Sequence, residues 1–418
     1  MKLLKSNEVK NMDKLKIMKI FEDTAFVCTS GTLEERKTAQ YLASLCEELG
    51  IGKAYFQEFP VDKCTMKEAK LFIDDEEIVC KGYLNCGNAD LEAPLYYLRG
   101  NDKMALSKCK DKIIFVDGPM TYWLFKDIQD NGALGFITYD GNVNYADCDI
   151  DQKELRSYIY KDEVKMPCVN INAKEALRLV KKGFSKARIV LNQDLEETTS
   201  QNVIVDLKGE TDEFIAFTAH YDSTSLSKGA YDNMSGAIGL LGIAEYFAKN
   251  PHKYSMRFIF CGSEERGLLG SKFYCENEEN LKNCIFNLNL DMIGCAMGKF
   301  ISVATAEEKL CDYVSYFGLE KGFSLSTKQD VYSSDSTPFA DKGVPAITFA
   351  RSAPMNIATI HNRYDTVEVM SADQMIEDIN FLIAFTDRMA NAVYFPVSQE
   401  IPQNMKEKLD IYLLRKRG

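Results

Sequence analysis

The sequence predicts an α/β protein: a mixed, largely parallel sheet sandwiched by helices, interrupted by a smaller inserted α/β domain. Three observations carry this. From about residue 195 onward, short near-continuous apolar stretches alternate with helical segments, the pattern of strands buried on both faces. Between residues 63 and 194 the texture changes to shorter strand and helix units. At 418 residues the chain is also too long for one simple core. The expected division is 1–62 with 195–418 for the main domain and 63–194 for the insert.

The first element is a helix over 30–50. Thr32 and Glu35 have capping-box spacing, Leu42, Leu45, Cys46 and Leu49 share one face, and Gly50 stops it. "KAYFQEFPV" (53–61) alternates as a strand. In the insert, 111–118, 134–141, 166–172 and 186–193 read as strands, and 121–133 and 173–183 as helices. Tyr122, Trp123 and Phe125 read as insert core, and the acidic stretch 144–163 as an excursion loop. The insert holds none of the chemical motifs below, so its simplest role is to shape access to them. The main domain resumes with strands at 202–209, 214–222, 256–265, 284–294 and 344–350. Helices at 233–250, 268–281 and 306–322 lie between them.

Composition narrows the function classes. Hydrophobic residues at 46% and charged residues at 27% are ordinary for a soluble globular protein. A net charge of −12 with no basic stripe argues against a nucleic-acid partner. No apolar run reaches membrane-span length, and the start, "MKLLKSNEVKNMDKLKIM", has no signal-peptide core. Thirteen cysteines, an odd number without a CxxC pair, imply free thiols and a reducing cytoplasm. Cys261, Cys284 and Cys295 lie in or beside strands and read as core.

The chain has three histidines, and two sit inside acidic motifs. "FTAHYDS" holds His220 and Asp222, "GAYDNMSG" Asp232, "CGSEERGLLGS" Glu264 and Glu265, "LNLDMIG" Asp291, and "ATIHNRYDT" His361 and Asp365. Imidazole and carboxylate are the ligands of catalytic zinc, and a carboxylate shared between two cations makes a paired hydrolytic site. Most of these residues follow an apolar strand, and the carboxyl ends of such strands line the ligand crevice of an α/β sheet. Asp232, in a turn of small residues, is the best bridging ligand. Asp222 is placed to orient His220, and Asp365 to orient His361. One of Glu264 and Glu265 can bind metal while the other moves protons. His252, beside a helix end in "NPHKY", gets no role.

"HYD", "GAYDNMSG", "SEERGLLGS", "NLDMIG" and "HNRYDT" together resemble the co-catalytic di-zinc aminopeptidases, the family of bacterial leucyl aminopeptidases and aminopeptidase Y. Related to it are glutamate carboxypeptidase and the transferrin receptor ectodomain. The insert resembles a protease-associated domain, in "DKIIFVDG" and "NGALGFITYDG". The resemblance implies two zinc ions and a phosphorylase/hydrolase-like fold. One zinc would sit on His220, Asp232 and Asp291, the other on Asp232, Glu265 and His361. Glu264 would be the general base and Asp222 the outer aspartate. The implied activity removes amino-terminal residues from peptides, a hydroxide held between the ions attacking the carbonyl.

Two positions depart from the family pattern. Many relatives carry tyrosine just before the last histidine as oxyanion donor, where this chain has Ile360; Arg351, Tyr332 or Tyr364 are the candidate substitutes, and a zinc alone as Lewis acid is the alternative. Where relatives often show "SDH", Ser334-Asp335-Ser336 stands here. Rival readings are a carboxypeptidase, a one-zinc glutaminyl cyclase, and a binding module that has lost its chemistry. The full ligand set speaks against the last two. A carboxypeptidase needs basic residues for a terminal carboxylate, and Arg351 and Arg363 are the only nearby ones.

Overall fold

The computed structural model describes residues 12–143, 150–156 and 166–418. The opening residues 1–11 and most of the acidic excursion lie outside these, and with them most of the readings made there. The chain forms two compact units, Met1–Val61 with Thr199–Lys416, and Asp62–Thr198.

In the first unit four strands run parallel, in the order Ala346–Ser352, Cys284–Leu290, Phe214–His220 and Ser255–Cys261. The end of Lys186–Leu207 closes one side antiparallel, pairing Val203–Leu207 with Ser255–Cys261. On the other side Lys299–Thr305 is antiparallel to Ala346–Ser352, and Leu325–Gln329 pairs parallel with it. The parallel strands are buried almost throughout, because helices cover both faces. One face packs Phe217, Phe258, Leu288 and Ile347 against helices Lys14–Asp23, Leu33–Glu48, Ser235–Ala248 and Ala372–Ala390. The other packs Ile259 and Phe214 against Tyr274 and Phe339, from helices Leu269–Glu276 and Ser336–Asp341.

Helix Ser235–Ala248 is the central one, with all but two of its residues buried. Gly236 lets it approach: a Cβ there would lie 2.5 Å from the carbonyl oxygen of Leu290. No other residue type allows that contact. The turn before the helix is thereby laid against the end of the Cys284–Leu290 strand, which joins two of the motifs.

In the second unit Ala89–Leu98, Ile113–Val116, Gly135–Asp140 and Cys168–Asn172 run parallel in that order. Cys80–Gly82 closes one edge antiparallel, and Lys186–Leu191 pairs antiparallel with Ala89–Pro94. Helices Tyr122–Asp130 and Ala173–Lys182 complete a core of Phe115, Phe125, Ile128, Phe136 and Leu179. Phe125 is buried as expected and Tyr122 packs at the core margin. Trp123 is a correction: it is only partly buried and stacks edge-on against Tyr122 at 4.9 Å.

The elements expected before residue 350 are present with shifted ends: Tyr55–Ile73 runs past its expected range, Lys186–Leu207 merges the strands expected at 186–193 and 202–209, and the helix expected at 268–281 is divided into Leu269–Glu276 and Glu278–Leu281. Strands expected to 265 and 294 stop at Cys261 and Leu290, so the acidic residues lie in the loops beyond them. The strand Leu325–Gln329 was not expected; its sequence, LSTKQ, is a half-exposed sheet edge that needs no apolar run. Nor was the helix Ala372–Ala390, which brings one more carboxylate, Asp378, into the core. Among the described residues eleven cysteines besides Cys64 are free thiols, most of them buried. No helix among those residues is long and apolar enough to cross a membrane.

Candidate metal centre

The four parallel strands release their loops at the same end, and each loop brings part of one cluster. His220 is the last residue of its strand, and Asp291 follows Leu290 directly. Glu264 and Glu265 come three and four residues after Cys261, past Ser263 in a left-handed conformation (φ 57°). His361, also left-handed at φ 59°, comes from the loop after Ala346–Ser352. Asp232 sits in an irregular turn, Ala230–Met234, that feeds the central helix.

Asp232 lies between the two histidines. Its Oδ1 is 3.2 Å from His220 Nε2 and its Oδ2 is 3.1 Å from His361 Nε2. His361 Nε2 is also 3.1 Å from Glu265 Oε2, and His220 Nε2 is 3.9 Å from Asp291 Oδ1. Glu264 Oε2 stands off at 3.9 Å from His220 Nε2. Among the described residues two groups have ligand atoms mutually within 4.8 Å: His220, Asp232 and Asp291, and Asp232, Glu265 and His361. These are the two triads that the sequence resemblance implied, and Asp232 is common to both.

The donor chemistry fits a pair of divalent cations. Tetrahedral zinc, with ligands at about 2.0–2.2 Å, spaces them about 3.4 Å apart, inside the observed range. Glu265 Oε1 and Asp291 Oδ1 are buried acceptors without a hydrogen-bond donor. Such atoms are costly to bury unless a cation meets them.

The electrostatics point the same way. Burial pushes the Glu264 carboxyl well above the usual range, with Glu265 and Asp291 adding to the rise. Burial likewise raises Glu265 and Asp291 to about 7, Asp232 contributing in both. Burial also opposes charge on the histidines, but the surrounding carboxylates overcome it: His220 is held well above its ordinary value and His361 at about 11. Asp232 goes the other way, below the usual carboxylate range: burial disfavours its charge, but the two imidazoles hold it ionised. Protons thus occupy the acidic cluster where cations would compensate it.

The supporting residues are partly those expected. Asp222 is fully buried, and its Oδ1 and Oδ2 accept the amides of Glu264 and Glu265 at 2.9 and 3.2 Å. His220 Nδ1 is closer to the Asp222 carbonyl oxygen (3.2 Å) than to its carboxylate (3.6 Å). Asp222 therefore orients the histidine through its backbone and the glutamates through its side chain. Asp365 corrects the expectation that it orients His361: it accepts the amides of Tyr231 (2.7 Å) and Asp232 (3.1 Å) and the hydroxyl of Ser227 (3.1 Å). The helical-turn spacing from His361 was misleading because His361 has a left-handed backbone.

Of the three oxyanion candidates, Arg351 is committed elsewhere: it is buried and pairs with Asp378, and its Nη1 donates to the Gly298 carbonyl at 3.0 Å. Tyr364 is 43% exposed. Tyr332 is partly buried, two residues before Ser334, whose hydroxyl accepts from Asn289 at 3.0 Å beside the Asp291 strand end. Burial and the Asp291, Asp232 and Glu264 carboxylates hold its hydroxyl protonated. Ile360 packs against the core, and burial pushes Asp335 up to about 6. Asn233 was missed by motif reading: its side chain donates to the Leu290 carbonyl at 2.9 Å and accepts the Met292 amide at 2.9 Å, tying the Asp232 turn to Asp291. His252, given no role, packs on Phe247 away from the cluster.

Comparison with known proteins agrees with this geometry. Residues 202–385 match the model of peptidase family M28, a span that includes every residue of both triads. The chain is 28% identical over 402 residues to Aminopeptidase YwaD of Bacillus subtilis, covering 91% of this chain and 84% of that protein. It is 32% identical over 176 residues to Aminopeptidase Y of Saccharomyces cerevisiae, covering 39% and 32% respectively. The fold is shared with the structure of BSAP, a zinc aminopeptidase from Bacillus subtilis: TM-score 0.75, 24% identity, 94% of this chain and 99% of that one. It is also shared with the aminopeptidase from Aneurinibacillus sp. strain AM-1: TM-score 0.74, 22% identity, 93% and 97%.

Proposed function

We propose that this chain, which carries the domain of peptidase family M28 over residues 202–385, is a zinc-dependent aminopeptidase. The observation that carries the reading is Asp232, with one carboxylate oxygen toward each of two complete ligand triads. His220, Asp232 and Asp291 would hold one zinc, and Asp232, Glu265 and His361 the other. Bound there, a zinc pair polarises a peptide carbonyl and makes water acidic enough to attack it near neutral pH.

The chain's own residues do the rest. Glu264, close to the cluster but outside both triads, takes the proton of the attacking water and returns it to the leaving amine. Tyr332 donates a hydrogen bond to the oxyanion, in the role that Ile360 leaves open. The acidic surroundings favour a substrate with a free, protonated amino group. Asp62–Thr198 is read as a protease-associated domain, on "DKIIFVDG" and "NGALGFITYDG" falling at two adjacent parallel strands. The free, buried thiols such as Cys46, Cys261 and Cys284 support a reducing compartment.

Elemental analysis together with hydrolysis of aminoacyl chromogenic substrates tests the reading. The expected result is two zinc ions per chain, release abolished by chelation and restored by zinc, and no cleavage once the substrate amine is acetylated. Equal cleavage of free and acetylated substrates, or activity indifferent to chelation, would sink it.

A further inference from the structure

One buried carboxylate near the site belongs to neither triad and has no part in the reaction above. Glu35, in the first turn of helix Leu33–Glu48, is fully buried. Its Oε2 accepts the Gly31 amide at 2.7 Å. Its Oε1 accepts the Ser200 hydroxyl at 2.8 Å and both the amide and the hydroxyl of Ser263, each at 3.1 Å. Ser263 also shares a 2.6 Å hydroxyl contact with Ser30. The two amides that follow, Glu264 and Glu265, go to Asp222. Three successive amides are thus held by two buried carboxylates from distant parts of the chain.

Helix capping does not account for this. The N-cap is already served, since the Thr32 hydroxyl accepts the Glu35 amide at 3.3 Å, and a capping glutamate can remain in solvent. Burial pushes the Glu35 carboxyl up to about 7, and Asp222 adds to the rise. Placing a carboxylate there is costly, and the four donors around it offset only part of the cost. What the arrangement secures is Ser263, whose left-handed backbone turns the chain from the strand into the Glu264–Glu265 pair.

We propose that Glu35 is a positioning residue. It fixes the backbone at Ser263 so that Glu264 and Glu265 are presented to the metal cluster at constant spacing. The kinetic part of this inference rests on the peptidase reading, whereas the metal-geometry part does not.

Glu35→Gln tests it in the full chain loaded with cobalt(II), whose visible absorption reports ligand geometry. The amide keeps one acceptor but puts an NH₂ against the Gly31 amide. The expected variant binds two cobalt ions like the parent, with an altered visible band. On the zinc enzyme kcat falls roughly tenfold, with KM within twofold of the parent. Ser200→Ala, which removes one donor from the same oxygen, shifts both readouts in the same direction, about two- to fivefold in kcat, and serves if the first variant does not fold. A parent-like band and parent-like kcat in whichever variant folds, even with a lowered melting temperature, would assign Glu35 to capping alone and overturn the proposal. If the parent itself hydrolyses no aminoacyl substrate, the peptidase reading fails while the cobalt band still decides the role of Glu35.

Discussion

The Asp365 carboxylate receives the backbone amide of Asp232 at 3.1 Å, so the residue shared by both triads is held from behind by a second aspartate. The Tyr231 amide takes the other oxygen of the same carboxylate at 2.7 Å. An asparagine at 365 has one acceptor and would turn an NH₂ toward one of these amides. Asp365→Asn is expected to weaken metal binding about 10–100-fold, the usual cost of losing an outer partner. Competition with a chromogenic chelator measures this, and parent-like affinity would show that the turn holds without Asp365.

Glu264→Gln separates proton transfer from metal binding. Glu264 lies outside both triads, so two zinc ions should remain bound. Loss of a general acid–base is expected to lower kcat by about 10²–10⁴-fold. If the variant instead loses a metal at unchanged kcat per loaded chain, the roles of Glu264 and Glu265 are reversed.

Most of the cluster is legible in the sequence because His220, Glu264, Glu265 and Asp291 lie at or just beyond the ends of apolar strands, and parallel strands bring such positions to one edge. Asp232 could be singled out because only a turn of small residues lets a carboxylate reach two sites. The residues that hold the cluster were harder to read. Glu35 looked like half of a capping box because its spacing from Thr32 is local, while its partners are Ser200 and Ser263. Asp378 lies in a helix whose pairing with Arg351 is set by tertiary packing alone. Asp365 is close to His361 in sequence, but the left-handed backbone at His361 leaves the Asp365 carboxylate to the amides of Tyr231 and Asp232.

Removal of metal should make stability depend on pH. In the metal-free protein Glu265 and Asp291 are raised to about 7 and His361 to about 11. The folded state then binds more protons than the unfolded chain, so stability falls as pH rises. For the carboxyls the fall runs from about 4, their unfolded value, to about 7; for His361 it begins near 6.5 and continues toward 11. Calorimetry of chelated protein is expected to show a lower melting temperature at pH 8 than at pH 5.5, and a larger gain on adding zinc at pH 8. A chelated melting temperature that rises between those two values would contradict the protonation scheme.

Asp378 and Arg351 form a buried pair that also takes the Gly294 amide at 2.9 Å, bracing the loop after Asp291. Removing one partner leaves the other charge buried and unpaired, at a cost of about 3–5 kcal/mol. Asp378→Ala is expected to show this loss in denaturant unfolding of the zinc-loaded chain. A change below about 1 kcal/mol would mean that water reaches Arg351 and solvates it.

Tyr332 is the candidate oxyanion donor left when the other two fail on placement: Arg351 is tied to Asp378, and Tyr364 is 43% exposed. A donor must keep its proton at working pH. Burial and the neighbouring carboxylates ensure this for Tyr332 by holding its hydroxyl above its ordinary value. Tyr332→Phe removes the hydroxyl and leaves the ring, so packing and metal content should be unchanged. Loss of one oxyanion donor is expected to lower kcat about 10²–10³-fold with KM nearly constant. A phenylalanine variant as fast as the parent would leave the oxyanion to the metals alone. A raised KM at constant kcat would instead place Tyr332 in substrate binding, where ground state and transition state gain equally from its hydroxyl.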